Sequence, residues 1–384
     1  MLPARVLGKQ VAWLENTDLN PRNGEGDFIQ LKNGGVMFAF SEFKGQTSHD
    51  NATAYISAVF SHDKGETFGE RRELFPLGEG DVNNMCVSLL RMNNGDIGII
   101  YGVKYNYDNG NNMFEGVGLD FFIRRSSDEG KTWSERIRIT EYGTYTISQH
   151  ARVIRLKSGR ILMPVNYYAP TDCPWGAHCL MGFYYSDDDG ETWVQEPHRI
   201  ENPVEKEYAG LQETGVIQYD NGTIMAYSRT CIGCQFVCYS YDDGLTWSPV
   251  QAAIELTSPE SPMQIRRLNN DMTVAAYNPV PGYIGRDWER GRTPLICQVI
   301  DGDGSAILEP GRMYLYLEDD ISNAYCYPSI FAGDDYFLVA YYHSNNGGTL
   351  SACKIKKIMY SEIERTDGAL FQNEEAFMER RNKK

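Results

Sequence analysis

Four copies of the pattern Ser-x-Asp-x-Gly-x-Thr-(Trp/Phe) recur about sixty residues apart, at Ser61–Phe68, Ser126–Trp133, Ser186–Trp193 and Ser240–Trp247. A repeat of this period belongs to a solenoid, a propeller or an array, in which each unit buries its apolar face against the next. In each copy the Asp (Asp63, Asp128, Asp188, Asp242) suits hydrogen bonds to nearby backbone N–H groups. The Gly (Gly65, Gly130, Gly190, Gly244) supplies a positive φ, and the aromatic residue anchors the loop to a sheet. Each copy is therefore predicted to be a rigid turn.

A second repeat sets the count. Six segments pair a β-rich run with a Gly/Asn/Asp turn and a second apolar run: 28–40, 88–101, 153–167, 216–229, 265–278 and 329–342. Each reads as a hairpin. Gly34, Gly95, Gly159 and Gly222 mark four of the turns, Asn270-Asp271 and Asp334-Asp335 the other two. A degenerate turn device follows Ile300, keeping its glycines but losing the Ser and the aromatic. The expected fold is all-β, a six-bladed β-propeller with four-stranded antiparallel blades, over residues 1–360. Residues 361–384 form a charged tail with apolar residues at helical spacing.

Composition narrows the partners. A net charge of −16 disfavours long-range attraction to nucleic acid or to an anionic membrane surface. No segment approaches the roughly 18 to 20 apolar residues of a membrane-spanning helix. The first residues lack the apolar core of a signal peptide, which gives a cytoplasmic expectation, or a secreted or periplasmic one if a leader has been removed. Nine cysteines cannot all pair, so reduced thiols are the base expectation. Cys231 and Cys234, with Cys173, Cys179 and His178, leave a zinc site or a disulfide as the other readings.

The turn devices on six hairpins resemble the sialidase (neuraminidase) superfamily over nearly the whole chain. The same turns occur in non-enzymatic propellers, so activity must rest on residues near the central axis. The resemblance implies an Asp acid/base, a Tyr nucleophile activated by a Glu, and three Arg that grip a substrate carboxylate, with no metal or organic cofactor. A neutral phenol approaches an anomeric carbon bearing a carboxylate more easily than an anionic Asp or Glu does, which explains this departure from the two-carboxylate scheme.

Carried onto this chain, the resemblance gives Glu213 as the activating base and Tyr327 as the nucleophile, with Tyr325 in reserve. Arg229 and Arg292 are two of the clamp cations. Glu213 and Arg229 stand at the two ends of one hairpin, so they meet at the same mouth of the propeller. Asp50, in the loop after the first hairpin, is the acid/base; such a carboxylic acid is expected to have a raised pKa. Neighbouring His49 is a substitute or a turn cap. The departure is in the first blade, where Glu25-Gly26-Asp27 replaces the family's Arg-Ile-Pro and Arg22 lies three or four residues too early. Without Arg22 the clamp has two cations at most, and Glu25 or Asp27 suits sugar hydroxyls or an acid/base role. His150 and Trp175 complete the candidate mouth, each also readable as a packing residue. The resemblance implies a retaining exo-glycosidase that hydrolyses a terminal, sialic-acid-like sugar from a glycan. A glycosidase for another terminal sugar, a lyase or intramolecular transferase, and a non-catalytic glycan-binding propeller stay open.

Overall fold

The computed structural model describes residues 6–106, 117–170, 177–204, 209–281, 292–300, 315–345 and 350–363. All six expected hairpins form, each as the first two strands of a meander. Asn23–Gln30 pairs with Val36–Phe43, Asp81–Arg91 with Ile97–Asn106, and Ile154–Arg155 with Ile161–Pro170. Gln212–Gln218 pairs with Ile224–Arg229, Gln264–Arg267 with Thr273–Tyr277, and Asn323–Ala332 with Tyr336–Asn345. The chain is a β-propeller, a ring of antiparallel sheets, and its described helix is one turn at residues 360–363.

Sheet connectivity differs from six separate blades in one place. Four blades stand as separate sheets, while the first two join into one eight-stranded sheet through a single parallel pair, Ala54 with Asn83. Asn83 reinforces that junction by donating its side-chain amide to the Ala52 carbonyl at 2.5 Å. In the third blade the first strand is broken in two, at Thr146–Ile147 and Ile154–Arg155, and both pieces pair with the same neighbour. The last blade takes its outer strand from the start of the chain: Lys9–Leu14 pairs with Ala352–Met359. This closure leaves no blade without a fourth strand, and nothing in the repeats announces it.

The strands are apolar on both faces because each blade is packed from both sides. Six apolar clusters result, each built from neighbouring blades. Ile29, Met37 and Ile56 of the first blade meet Val87, Leu89 and Ile99 of the second. Phe331, Leu338 and Ile355 of the last blade meet Phe28, Phe38 and Phe40 of the first, which closes the ring. The other four clusters fill the remaining interfaces in the same way.

The turn devices behave as the pattern requires. Asp128 Oδ1 accepts the Thr132 amide at 2.9 Å and the Ser126 hydroxyl at 2.8 Å, while Oδ2 accepts the Thr132 hydroxyl at 2.6 Å. The Gly130 amide returns to Ser126 Oγ at 2.7 Å. The other three copies repeat these bonds. Two successive residues are left-handed in each device, for example Asp189 at φ 64° and Gly190 at φ 86°. Trp193 Nε1 then donates to the Gly190 carbonyl at 3.2 Å, tying the aromatic anchor to the turn it supports.

Replacing Gly190 by Ala puts a Cβ at φ 86°, 3.2 Å from Ile123 and 3.4 Å from Met92. The expected loss is about 1–2 kcal/mol from the left-handed backbone, read by urea denaturation. A variant as stable as the native protein contradicts the turn geometry.

Candidate active site

The first strands of the blades face the central axis and are laced together there. Asp27 Oδ2 accepts the Leu89 amide at 2.9 Å, Ser88 Oγ accepts the Arg152 amide at 3.1 Å, and Gln264 Nε2 donates to the Ala151 carbonyl at 2.8 Å. Near the start of five of these six first strands, a residue that is not glycine turns left-handed. These are Glu25 at φ 54°, Cys86 at 58°, Ala151 at 55°, Glu213 at 48° and Tyr327 at 56°. Four of the five sit inside a register shift, between Gly24 and Asp27, Met85 and Ser88, Gln212 and Gly215, and Cys326 and Ser329. A bulge re-aims a side chain out of the strand's alternation. Three of these residues, Glu25, Glu213 and Tyr327, take part in one network of charges.

Tyr327 Oη donates to Glu213 Oε1 at 2.6 Å. Arg229 Nη1 donates to Glu213 Oε2 at 2.7 Å and to Tyr327 Oη at 3.2 Å, and Gln149 Nε2 donates to Glu213 Oε1 at 3.2 Å. Burial alone would raise the Glu213 pKa, but the Arg229 guanidinium and the Tyr327 hydroxyl hold it below the usual carboxylate value. Burial and the Glu213 charge push the Tyr327 phenol well above 10. The resting pair is thus a carboxylate accepting from a neutral phenol. Tyr325 does not compete, because its ring is buried between Tyr341 and His343 and its hydroxyl points to the Asp320 carbonyl.

Arg292 joins from the fifth blade. Its guanidinium lies 5.5 Å from the Tyr327 ring centroid, with Nη1 3.4 Å from Cys326 Sγ and Nη2 3.2 Å from the Glu260 carbonyl. Glu260, missed in the sequence, accepts from Arg229 Nη2 at 3.1 Å. It enters the fifth hairpin much as Glu213 enters the fourth, and that position could have revealed it.

Arg22, three or four residues early by the resemblance, is brought to the axis by the bulge at Glu25. It is 2% exposed. Its Nη2 pairs with Glu25 Oε1, Nη1 with Asp50 Oδ1 at 2.5 Å, and Nε donates to Tyr342 Oη at 2.9 Å. The Tyr342 ring meets the Tyr327 ring edge-on at 5.8 Å, so the two halves of the network touch. Tyr342 was also missed; it stands opposite Cys326, beside the Tyr327 bulge, as Arg229 stands opposite Gln212 beside Glu213.

Asp50 therefore faces a cation. Partial desolvation by the surrounding protein would raise its pKa, but Arg22 and then Lys104 bring it down to about 2, opposite to the expected rise. Its side chain is 65% exposed, so solvent screens part of that attraction. Lys104 holds the loop itself, donating to the Asp50 carbonyl at 2.8 Å and to Asn51 Oδ1 at 3.1 Å.

The remaining candidates divide. Asp27 is committed to backbone amides of its own and the next blade, Phe28 at 2.8 Å and Leu89 at 2.9 Å, so its carboxylate straps blades together instead of reaching for sugar hydroxyls. His150 is buried, with Nδ1 3.2 Å from Gln149 Oε1 and Nε2 3.2 Å from the Pro328 carbonyl, of which a neutral ring donates to one, and it lies against the Tyr327 ring at 5.9 Å. Burial and the Arg152 charge lower its pKa to about 3, leaving a neutral ring that supports the phenol. Trp175 and Cys173 lie outside the described residues. Of the cysteines, the eight described are buried.

Comparison with known proteins bears on the family and the fold. Residues 81–339 match the family described as the BNR repeat-like domain. A stretch of 247 residues is 26% identical to a sialidase of Paraclostridium sordellii, covering 57% of this chain and 55% of that protein. The chain thus spans little more than half the length of that relative. Among solved structures, a Dyadobacter fermentans protein of unknown function superposes with a TM-score of 0.72 at 18% identity, covering 94% of this chain and 100% of the other. A mutant of the NanB sialidase of Streptococcus pneumoniae gives 0.69 at 12% identity, covering 93% and 71%. At such identities these two structures show a shared fold.

Arg229→Met leaves Glu213 buried with its main cation gone. In the native protein the depressed Glu213 pKa contributes stability above the ordinary carboxylate value, and this is lost as pH falls through the depressed value. In the variant burial dominates, the pKa rises, and acid relieves the cost. The expected destabilisation is about 3 kcal/mol at neutral pH, shrinking towards about pH 4, by urea denaturation at both. A difference that is independent of pH contradicts the pairing.

Proposed function

Because the chain belongs to the BNR repeat-like domain family, we propose that this cleft is the active centre of a retaining exo-glycosidase of the sialidase type. Its substrate is a terminal acidic, sialic-acid-like sugar on a glycan. The observation that carries the reading is the 2.6 Å bond from Tyr327 to Glu213, with Arg229 donating to both. A non-catalytic binding propeller has no need for a carboxylate, a phenol and a guanidinium to converge from blades 114 positions apart in sequence.

In the first step the Tyr327 oxygen bonds to the anomeric carbon while the glycosidic bond breaks. Glu213 takes the phenol proton and Asp50 gives a proton to the leaving oxygen. With the carboxylate pKa depressed and the phenol pKa raised, full deprotonation beforehand is uphill. The proton therefore moves as the carbon–oxygen bond forms. In the second step water attacks the glycosyl-tyrosine, Asp50 accepts the water proton, and Tyr327 recovers its own from Glu213. Arg229 and Arg292 receive the sugar carboxylate, joined by Arg22 from the first blade.

The test is release of 4-methylumbelliferone from its sialic acid glycoside and from a panel of other terminal-sugar glycosides. The proposal expects turnover of an acidic sugar and a fall in kcat of roughly 10³-fold or more in Tyr327→Phe. Undiminished turnover in the variant, or turnover of neutral sugars alone, overturns it.

A further inference from the structure

Of the groups bonded around the cleft, Arg22, Lys104, Arg229 and Arg292 stand beside Glu25, Asp50, Glu213 and Glu260, while Asp27 faces Arg152 and Arg266 along the axis. Tyr327 is a neutral phenol. An acidic sugar entering this set adds one negative charge to a largely desolvated site, which is unfavourable unless a compensating charge enters or an existing carboxylate is neutralised.

The geometry names the carboxylate that can change. Glu213 is held by Arg229, Gln149 and Tyr327. Glu25 is locked among the Arg22 guanidinium, the Tyr342 hydroxyl and the Cys86 thiol, and is itself buried. Glu260 remains against Arg229. Asp50 is different, because its side chain opens to water and, among the described residues, its side-chain ion pair is the 2.5 Å contact with Arg22. That pair uses Arg22 Nη1, which also donates to the Ser48 carbonyl at 3.2 Å, while Nη2 and Nε are anchored by Glu25 and Tyr342. Arg22 can thus keep its anchors and change the anion on Nη1.

Resting on the sialidase-type reading above, we propose that Arg22 is an exchanging partner. It holds Asp50 as a carboxylate until an acidic sugar binds, then transfers Nη1 to the sugar carboxylate, and Asp50 takes one proton from solvent. Substrate binding thereby makes the acid that the leaving oxygen needs. The balance is simple: one anion enters, one proton enters, and no bond to carbon changes. The other groups facing Asp50 are Lys104 from the second blade, which stays on the loop carbonyl, His49 beside it, and Tyr145 from the third blade. None of these needs to move. The exchange also accounts for an acid whose resting environment is the reverse of what acid catalysis requires. Burial beneath the bound sugar then acts on Asp50 with the direct Arg22 bond gone, and Lys104 and His49 are the charges left to oppose it.

The test is calorimetric titration of a sialic acid glycal, an acidic and unreactive sugar, at about pH 5 in buffers of differing ionisation heat. The native protein is expected to take up close to one proton per glycal bound, and its Kd to weaken up to about tenfold per pH unit across that range. Asp50→Asn is expected to bind the glycal with no proton uptake. Binding without proton uptake by the native protein, or an unchanged uptake in Asp50→Asn, overturns the exchange while leaving the sialidase-type reading intact. Failure of the glycal to bind while neutral sugars do overturns the reading and the exchange together. The pH dependence of Kd needs only the native protein, so the proposal stays falsifiable if the variant does not fold.

Discussion

The site depends on a backbone constraint repeated around the ring: a left-handed residue near the start of five of the six first strands. At Glu25, Glu213 and Tyr327 this conformation is held by residues with a Cβ, at a cost of about 1–2 kcal/mol each. The cost is offset by the ladders on either side of each bulge and by the packed blades flanking them. Ordinary strand alternation would send neighbouring side chains to opposite faces of a blade. The bulge instead brings the phenol, the base and the Arg22 anchor to one end of the axis.

Electrostatics completes what the backbone begins. Each guanidinium in the network is already engaged, Arg22 by two carboxylates, Arg229 by two more, and Arg292 by a carbonyl and a thiol. A clamp of this kind differs from three free cations waiting for an anion. It keeps buried charges paired through folding, where an unpaired one would cost several kcal/mol. In the proposed function, selectivity for an acidic sugar would rest on exchange among these partners. The acidic first blade, where Glu25 and Asp27 replace the expected arginine motif, is part of that arrangement: Glu25 fixes Arg22, and Asp27 ties the first blade to the second.

Much of the architecture was legible because its signals are local. The Ser, Asp, Gly and Thr of each turn device lie within seven residues, and each hairpin carries its own turn. Ring closure by residues 9–14 was not, since that strand has no repeat signature and is defined only by its partner at the far end of the chain. The site divides in the same way. Glu213 and Arg229 share a hairpin, so their meeting followed from spacing. Arg22 looked misplaced because a left-handed Glu25 leaves no mark in the sequence, and the bulge it makes is what brings the arginine in. Glu260 and Tyr342 stand at hairpin positions like those of Glu213 and Arg229, but the partners they bond, Arg229 for Glu260 and Arg22 for Tyr342, come from other hairpins. The depressed pKa of Asp50 was equally hidden, being the work of Arg22 and Lys104 from other strands.

The central claim is that the Tyr327 oxygen becomes covalently bonded to the sugar. The most direct measurement is mass spectrometry of the protein after reaction with a 2,3-difluoro acidic sugar, which slows the second step more than the first. The account predicts a single added glycosyl group, mapped by peptide fragmentation to Tyr327. An adduct on Glu213 or Asp50, or turnover of the parent sugar with inversion and no adduct, would contradict it.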